Sequence, residues 1–422
     1  MRPVLTPEEM GAADRRAIAS GTPGAVLMER AGHAVAAEAR RLLGGTYGRR
    51  AVVACGQGNN GGDGEIAARV LRAAGVRVAV MHLADPWPAP RWAREVRRAD
   101  LLVDAMYGTG FRGVLDGPAL EVARASSSVA TLAVDIPSGV DGATGAVDGI
   151  AVRAVRTVTF AAAKPGLWLQ PGRAHAGEIV VADIGIATFD PEGAPSMLGV
   201  TDATDVAAWL PDRDAVGNKW SVGAVFVVGG SLGMTGAPQL VSHAALRAGA
   251  GIVWCGVPGR EAASAAGGSE IVVHALPATA DGALAPEAAA VVSGDAGRFG
   301  AVVVGPGLGR AAPTETAVRL LLDEVATTVV LDADGLNALR GDLEPLRRRA
   351  AAGRATVLTP HDGEYARLVG APPGPDRVGA ARRLADRAGA TVLLKGPTTI
   401  VAGPGNPGPA ALNPTGSAAL AT

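Results

Sequence analysis

The spacing of hydrophobic and polar positions along this chain changes once and then settles into a rhythm. The first stretch is helical. Thr6 is an N-cap residue, Pro7 suits the first helical position and Glu9 completes a capping box. A second start at Thr22-Pro23 opens a helical pattern that runs to about Leu43. After Gly44-Gly45 short apolar runs alternate with helical stretches. Residues 51–55, 76–81, 100–104, 131–135, 157–161 and 179–182 read as strands, and 65–74 and 118–125 as helices between them. Strands separated in this way form βαβ units, and hence a mostly parallel sheet covered on both faces.

Between Gly185 and Gly217 the rhythm is lost, and Pro191, Pro195 and Pro211 mark a boundary. A second series follows, with strands at 224–228, 251–255, 270–274, 301–304, 328–331, 356–358, 391–394 and 399–401 and helices at 238–248 and 314–322. The loop motifs of the two halves differ, which predicts a fusion of two different α/β domains, 1–193 and 200–422. After a loop rich in Gly and Pro the chain ends at Ala418–Thr422, where an α/β domain would close with a further helix. A C-terminally truncated second domain is the expectation.

Composition fits this picture. A chain of 422 residues exceeds one ordinary core. Apolar residues reach 48% but aromatics only 3%, so thin layers of Val-rich strands under Ala-rich helices are expected. The net charge of -1 offers no global field for nucleic acid or an acidic membrane, so any phosphate site must be local. Cys55 and Cys255 each close an apolar run and read as small buried hydrophobes, too few for a disulfide framework or a cysteine metal site. The N-terminus lacks a signal-peptide pattern and no run approaches the ~20 apolar residues of a membrane span, which predicts a cytoplasmic protein.

The first strand leads into Gly56-Gln57-Gly58-Asn59-Asn60-Gly61-Gly62-Asp63-Gly64. Gly56, Gly58 and Gly61 satisfy the dinucleotide fingerprint, with Asp85 about 20 residues on, but in a chain with 59 glycines that signal is weak. Asn59-Asn60 and Asp63 fit it poorly, because a carboxylate there would repel a pyrophosphate. Two more strand ends carry chemistry: Asp104 ahead of Gly108-Thr109-Gly110, and Asp135 ahead of Pro137-Ser138-Gly139. In a parallel sheet these loops converge on one crevice, and their oxygens suit a hard cation. The competing reading makes each Asp a cap for the turn that follows.

These loops resemble the signature motifs of the NAD(P)H-hydrate epimerase family, in family order over roughly residues 1–190. The resemblance implies a Rossmann-like three-layer domain that interconverts the R and S epimers of hydrated NADH and NADPH at C6 of the nicotinamide ring. It implies that Asn59, Asn60, Gly61, Gly62, Asp63, Gly108, Thr109, Gly110, Phe111, Arg112 and Asp135 contact the hydrate, and that Asn60, Asp104 and Ser138 hold potassium. Asp135 is the expected acid/base group and Lys164 matches a family position beside it.

In the second half, strand 224–228 runs into Gly229-Gly230-Ser231-Leu232-Gly233, a long glycine loop without the Lys-Ser/Thr of a P-loop. Further strand ends carry Gly305-Pro306-Gly307-Leu308-Gly309, Asp332-Ala333-Asp334-Gly335, Pro360-His361-Asp362-Gly363-Glu364 and Lys395-Gly396-Pro397-Thr398-Thr399. His361 reads either as a cap or as a ligand contact, and Lys395 as a phosphate partner. Together these resemble the ADP/ATP-dependent NAD(P)H-hydrate dehydratases of the ribokinase-like superfamily. The resemblance implies magnesium and ADP, with Ala237, Gly307 and His361 on the hydrate and Lys395, Gly396, Pro397, Thr398 and Thr399 on the nucleotide. The chain departs from the pattern by stopping before a Gly-Thr-Gly-Asp segment, which leads to the expectation of an impaired dehydratase half, and by placing Trp220 where glycine is usual. Rival readings are a nicotinamide-dependent dehydrogenase resting on Gly56, Gly58 and Gly61, a ribokinase-like vitamin or sugar kinase, and a binding module for damaged nucleotides that turns nothing over. Apolar surface on the first helices points to a homo-oligomer.

Overall fold

A computed structural model describes residues 1–85, 88–188, 197–212, 216–266, 270–405 and 408–417. Pro191, Pro195 and Ala418–Thr422, which entered the boundary and chain-end readings, lie outside them. The chain divides into two compact units, Met1–Val200 and Thr201–Thr422.

In the first unit β1 (Arg2–Pro3) pairs antiparallel with β8 (Leu198–Val200). A separate six-stranded sheet holds β2 (Arg50–Cys55), β3 (Arg77–His82), β4 (Leu101–Ala105), β5 (Thr131–Val134), β6 (Arg156–Phe160) and β7 (Glu178–Ala182). Its order is β3-β2-β4-β5-β6-β7 and every pairing is parallel. Strand geometry sends alternate side chains to opposite faces, and β2 uses both. Ala51, Val53 and Cys55 join a core with Leu27, Val35, Ala67 and Leu71, whereas Val52 and Ala54 join a second core with Trp92, Val96, Ala119 and Val122. Helices α1 (Pro7–Ala19), α2 (Gly24–Leu43) and α3 (Asn59–Ala73) supply the first layer, and helices Ala89–Arg97 and Gly117–Ala125 the other. This is the expected Rossmann-like three-layer arrangement. The Thr6 capping box that opens α1 is formed on both sides, Glu9 N to Thr6 Oγ1 at 3.2 Å and Thr6 N to Glu9 Oε2 at 2.7 Å.

One helix start differs from the sequence reading. α3 begins at Asn59, so most of the supposed loop is its first turn and a half. The glycines are there for contact, not for chain reversal. A Cβ on Gly61 would stand 2.0 Å from Gly56 O, one on Gly62 2.7 Å from Met28 Sδ, and one on Gly64 2.5 Å from Ala105 Cβ.

The second unit holds a nine-stranded run: β9 (Ala224–Val228), β10 (Ile252–Pro258), β11 (Val272–Leu276), β12 (Ala301–Val304), β13 (Thr328–Leu331), β14 (Thr356–Leu358), β15 (Thr391–Leu394), β16 (Thr399–Ala402) and β17 (Ala410–Asn413). The order is β17-β16-β15-β14-β13-β12-β9-β10-β11, parallel from β11 to β15 and antiparallel for the last two. Within the stretch read as a boundary lie β8 and a helix, Ala203–Trp209, capped reciprocally by Asp202 and Asp205. Buried Arg349 ties this unit together. Its guanidinium donates to Leu322 O, Val325 O, Thr327 O, Ala355 O and Thr356 Oγ1, and burial lowers it to about 10. Trp220 packs edge-on to Trp254 and Phe299 with the Arg298 guanidinium 4.4 Å from its ring centre. Both cysteines are buried and free, and burial followed by the Glu65 charge raises the Cys55 thiol to about 12. Among the described residues no helix is long and apolar enough to cross a membrane.

Candidate functional site

In the first sheet the chain moves outward from β2 to β3 and then returns to the other side of β2 to lay down β4. Loops leaving β2 and β4 therefore diverge, and an open α/β sheet takes its ligand at such a switch point. A cavity of about 1040 Å³ lies there. Asn59, Asn60 and Asp63 of α3 line it, as do Gly108 to Arg112 after β4 and Asp135 after β5. The close approach of the two loops depends on Gly56, where a Cβ would stand 1.9 Å from Met106 O. Met10, Leu27 and Met28 give the opposite wall an apolar lining. The apolar faces of α1 and α2 thus serve this cavity.

Its charged floor is Asp135 and Lys164. Asp135 follows β5 directly with φ 66°, the left-handed region that Asp tolerates better than most residues. Such strain collects at functional sites. Lys164 is 1% exposed, and its ammonium donates to Asp135 Oδ1 at 2.7 Å, Thr159 Oγ1 at 2.8 Å and Phe160 O at 3.2 Å. Asp135 Oδ2 accepts from Thr109 N at 3.3 Å, so the loop after β4 rests on the same carboxylate. The loop is also folded on itself, with Arg112 Nη1 donating to Phe111 O at 2.7 Å and Arg112 Nε 3.3 Å from Asp141.

Behind this wall stands a second acid. Asp104 is fully buried and accepts from Ser138 N at 2.8 Å, Ser138 Oγ at 2.6 Å and Met106 N at 3.3 Å. Burial raises it to about 6 despite those hydrogen bonds, which pull the other way. The groups that donate to it, Ser138 and Met106 N, are all neutral. An all-oxygen donor set with an uncompensated carboxylate suits a hard cation. Asp63, on the cavity itself, is raised to about 8 by burial first and then by the charges of Asp135 and Asp14.

The second sheet repeats the topological device. β9 to β11 move outward and β12 returns on the other side of β9. Gly230 N donates to Pro306 O at 2.7 Å and Ser231 Oγ to Gly307 O at 2.9 Å, tying the two glycine loops across the switch point. Gly307, at φ 71°, would place a Cβ 3.5 Å from Ala237 Cβ, so these two expected contacts do meet. The ends of β13 to β15 carry a polar chain. Lys395 Nζ lies 2.9 Å from Asp332 Oδ1 and 3.5 Å from Glu364 Oε2, and Thr359 Oγ1 donates to the same Asp332 oxygen at 2.7 Å. His361 caps the helix Asp362–Val369: its Nδ1 accepts from Gly363 N at 3.0 Å while its own N donates to Glu364 Oε2 at 2.9 Å. Gly396 lies beside Arg377, which donates to Lys395 O at 3.0 Å, and Thr399 Oγ1 returns to Gly396 O at 3.3 Å. Pro397 O is held close under Gly416, and Thr398 is buried.

The sequence-predicted residues thus divide. Asn59, Asn60, Asp63, Gly108, Thr109, Gly110, Phe111, Arg112, Asp135 and Lys164 share one cavity, whereas Gly61, Gly62, Asp104 and Ser138 stand behind its wall. Asp85, the fingerprint's acid, instead accepts from His82 N at 3.1 Å and closes the turn after β3. Two residues escaped the sequence reading. Asp14 on α1 lines the cavity, and Thr159 bridges Asp135 and Lys164. A helical Asp reads as a solvated face and a strand Thr as a β-former, so neither carries a sequence signal.

Two mainly parallel sheets, each with glycine loops meeting at its switch point and a lysine–carboxylate pair at its strand ends, define a two-unit α/β enzyme. The sequence profile described as NAD(P)H-hydrate dehydratase matches residues 225–422, and that described as YjeF-related protein N-terminus matches 24–98 and 87–166. The bifunctional NAD(P)H-hydrate repair enzyme of Salinibacter ruber is 40% identical over 95% of this chain and 82% of its own length. The enzyme of the same name from Mycobacterium tuberculosis is 39% identical over 100% and 86%. A solved structure of the Bacillus subtilis ADP/ATP-dependent NAD(P)H-hydrate dehydratase, co-crystallized with ATP/Mg2+, is 29% identical with a TM-score of 0.41 over 52% of this chain and 73% of its own. The chain belongs to the family of bifunctional NAD(P)H-hydrate repair enzymes.

Proposed function

We propose that residues 1–193 epimerise hydrated NADH and NADPH and that residues 200–422 dehydrate the S epimer at the expense of ADP. The observation that carries the first half is the sealed Asp135–Lys164 pair on the cavity floor. Epimerisation at a carbinolamine-type carbon needs a proton delivered to, or taken from, an oxygen. Asp135 is the general acid/base, and Lys164 holds its charge and orientation. Asn59, Asn60, Asp63 and the Gly108–Arg112 segment bind the hydrate, with Gly61 and Gly62 setting the backbone approach. Asn60, Asp104 and Ser138 hold potassium, which offsets the buried Asp104 charge and steadies the two loops.

In the second half Ala237, Gly307 and His361 contact the hydrate. The segment Lys395 to Thr399 receives the adenine nucleotide, with Lys395 exchanging a carboxylate partner for phosphate. Magnesium supplies charge neutralisation on the transferred phosphoryl group when bound. Neither a dehydrogenase nor a passive binding module accounts for both crevices.

The test is recovery of NADH absorbance from the separated R and S hydrates with ADP, magnesium and potassium. Recovery from both epimers supports the bifunctional reading. If a separate dehydratase is supplied and the R hydrate still disappears no faster with this chain than without it, the epimerase assignment is wrong.

A further inference from the structure

Thr159 sits near the end of β6, fully buried, with its hydroxyl between the two charged groups of the first cavity's floor. Its Oγ1 donates to Asp135 Oδ1 at 3.1 Å and accepts from Lys164 Nζ at 2.8 Å. The alternative acceptor, Ala162 O, is farther away at 3.5 Å. An ammonium has three N–H donors, and Thr159 takes one, beside Asp135 Oδ1 and Phe160 O. Asp135 Oδ1 thus receives two inward hydrogen bonds, whereas Oδ2 receives the longer one, 3.3 Å, from Thr109 N on the cavity loop.

A carboxylate turns readily about its terminal torsion, and one ion pair leaves that freedom largely intact. Two donors of different direction on the same oxygen remove it. We propose that Thr159 is a positioning residue for epimerisation: it keeps Asp135 Oδ1 turned inward and Oδ2 turned to the ligand, and it keeps the Lys164 ammonium directed at the carboxylate. This rests on the epimerase reading above. The residue touches no ligand and acts through Asp135.

Thr159→Val preserves the branched shape and deletes the hydroxyl, while Thr159→Ser keeps the hydroxyl and deletes a methyl. Epimer interconversion by the full chain is followed by chromatographic separation of the R and S hydrates across a substrate series. Thr159→Val is expected to lower kcat about tenfold or more with KM close to wild type, since misplacement of a reacting group costs up to ~100-fold. Thr159→Ser restores kcat. Wild-type kcat in Thr159→Val, or a loss shared equally with KM, overturns the proposal, as does a loss that Ser does not repair and that tracks the folded fraction by circular dichroism. A wild-type chain that fails to interconvert the epimers overturns the epimerase reading, and the role of Thr159 falls with it.

Discussion

Each unit sets a lysine against a carboxylate at the carboxyl end of a parallel sheet, but the two pairs are built for different work. Lys164 is 1% exposed, and its three donors are spent on Asp135, Thr159 and Phe160. Lys395 is 38% exposed and leans between Asp332 and Glu364. A sealed pair fixes one carboxylate geometry and suits a repeated proton transfer. An open pair can trade one anion for another, which suits a polyphosphate that arrives and leaves. On the proposed function, the same two residue types serve different ends according to their burial.

The largest effect is expected from breaking the sealed pair. Lys164→Met leaves Asp135 buried without its cation, which should cost about 3–5 kcal/mol of stability and abolish epimerisation. Chemical denaturation of the variant measures the first loss. Combining Lys164→Met with Asp135→Leu should recover much of the stability and none of the activity. Lys395→Ala should instead change stability by about 1 kcal/mol or less, since partly exposed pairs contribute little. It should weaken ADP binding about tenfold, read by calorimetry.

A pH series sharpens the same contrast. Burial raises Asp63 to about 8, far above its unfolded value of 3.8. Between those limits the folded state holds a proton that the unfolded state has released. Stability from this group is full below pH 4 and is lost as pH rises towards 8. Asp63→Asn should therefore flatten the fall of the melting temperature across that window. An unchanged slope would show that the carboxylate is not protonated there. A local effect is expected in the second unit: His361→Ala removes a helix cap worth about 0.5–2 kcal/mol, and His361→Asn should return most of it.

Much of this was legible from the residues. Val-rich runs such as Ala224–Val228 and Thr328–Leu331 gave strands that match residue for residue, because a strand buried on both faces is nearly all apolar. The Thr6 cap was readable because its chemistry is local. Packing that depends on distant chain was not. The glycines of α3 read as loop, yet they answer to Met28, Gly56 and Ala105. Helix Ala89–Arg97 was hidden behind Pro88 and Pro90, although Trp92 and Val96 are fully buried. Strand β17 is short and pairs antiparallel with β16 inside a stretch that reads as a Gly- and Pro-rich loop. In the site, Asp135 and Lys164 came from motifs, whereas Thr159 and Asp14 needed three dimensions.

The central claim is that the sealed Asp135–Lys164 pair drives epimerisation. The most direct test compares the wild-type chain with Asp135→Asn, each given the pure R hydrate of NADH with potassium, and follows the appearance of the S hydrate by chromatography. The account predicts interconversion well above the uncatalysed rate for wild type and none above it for Asp135→Asn at equal folded concentration. Equal rates from the two proteins would contradict it.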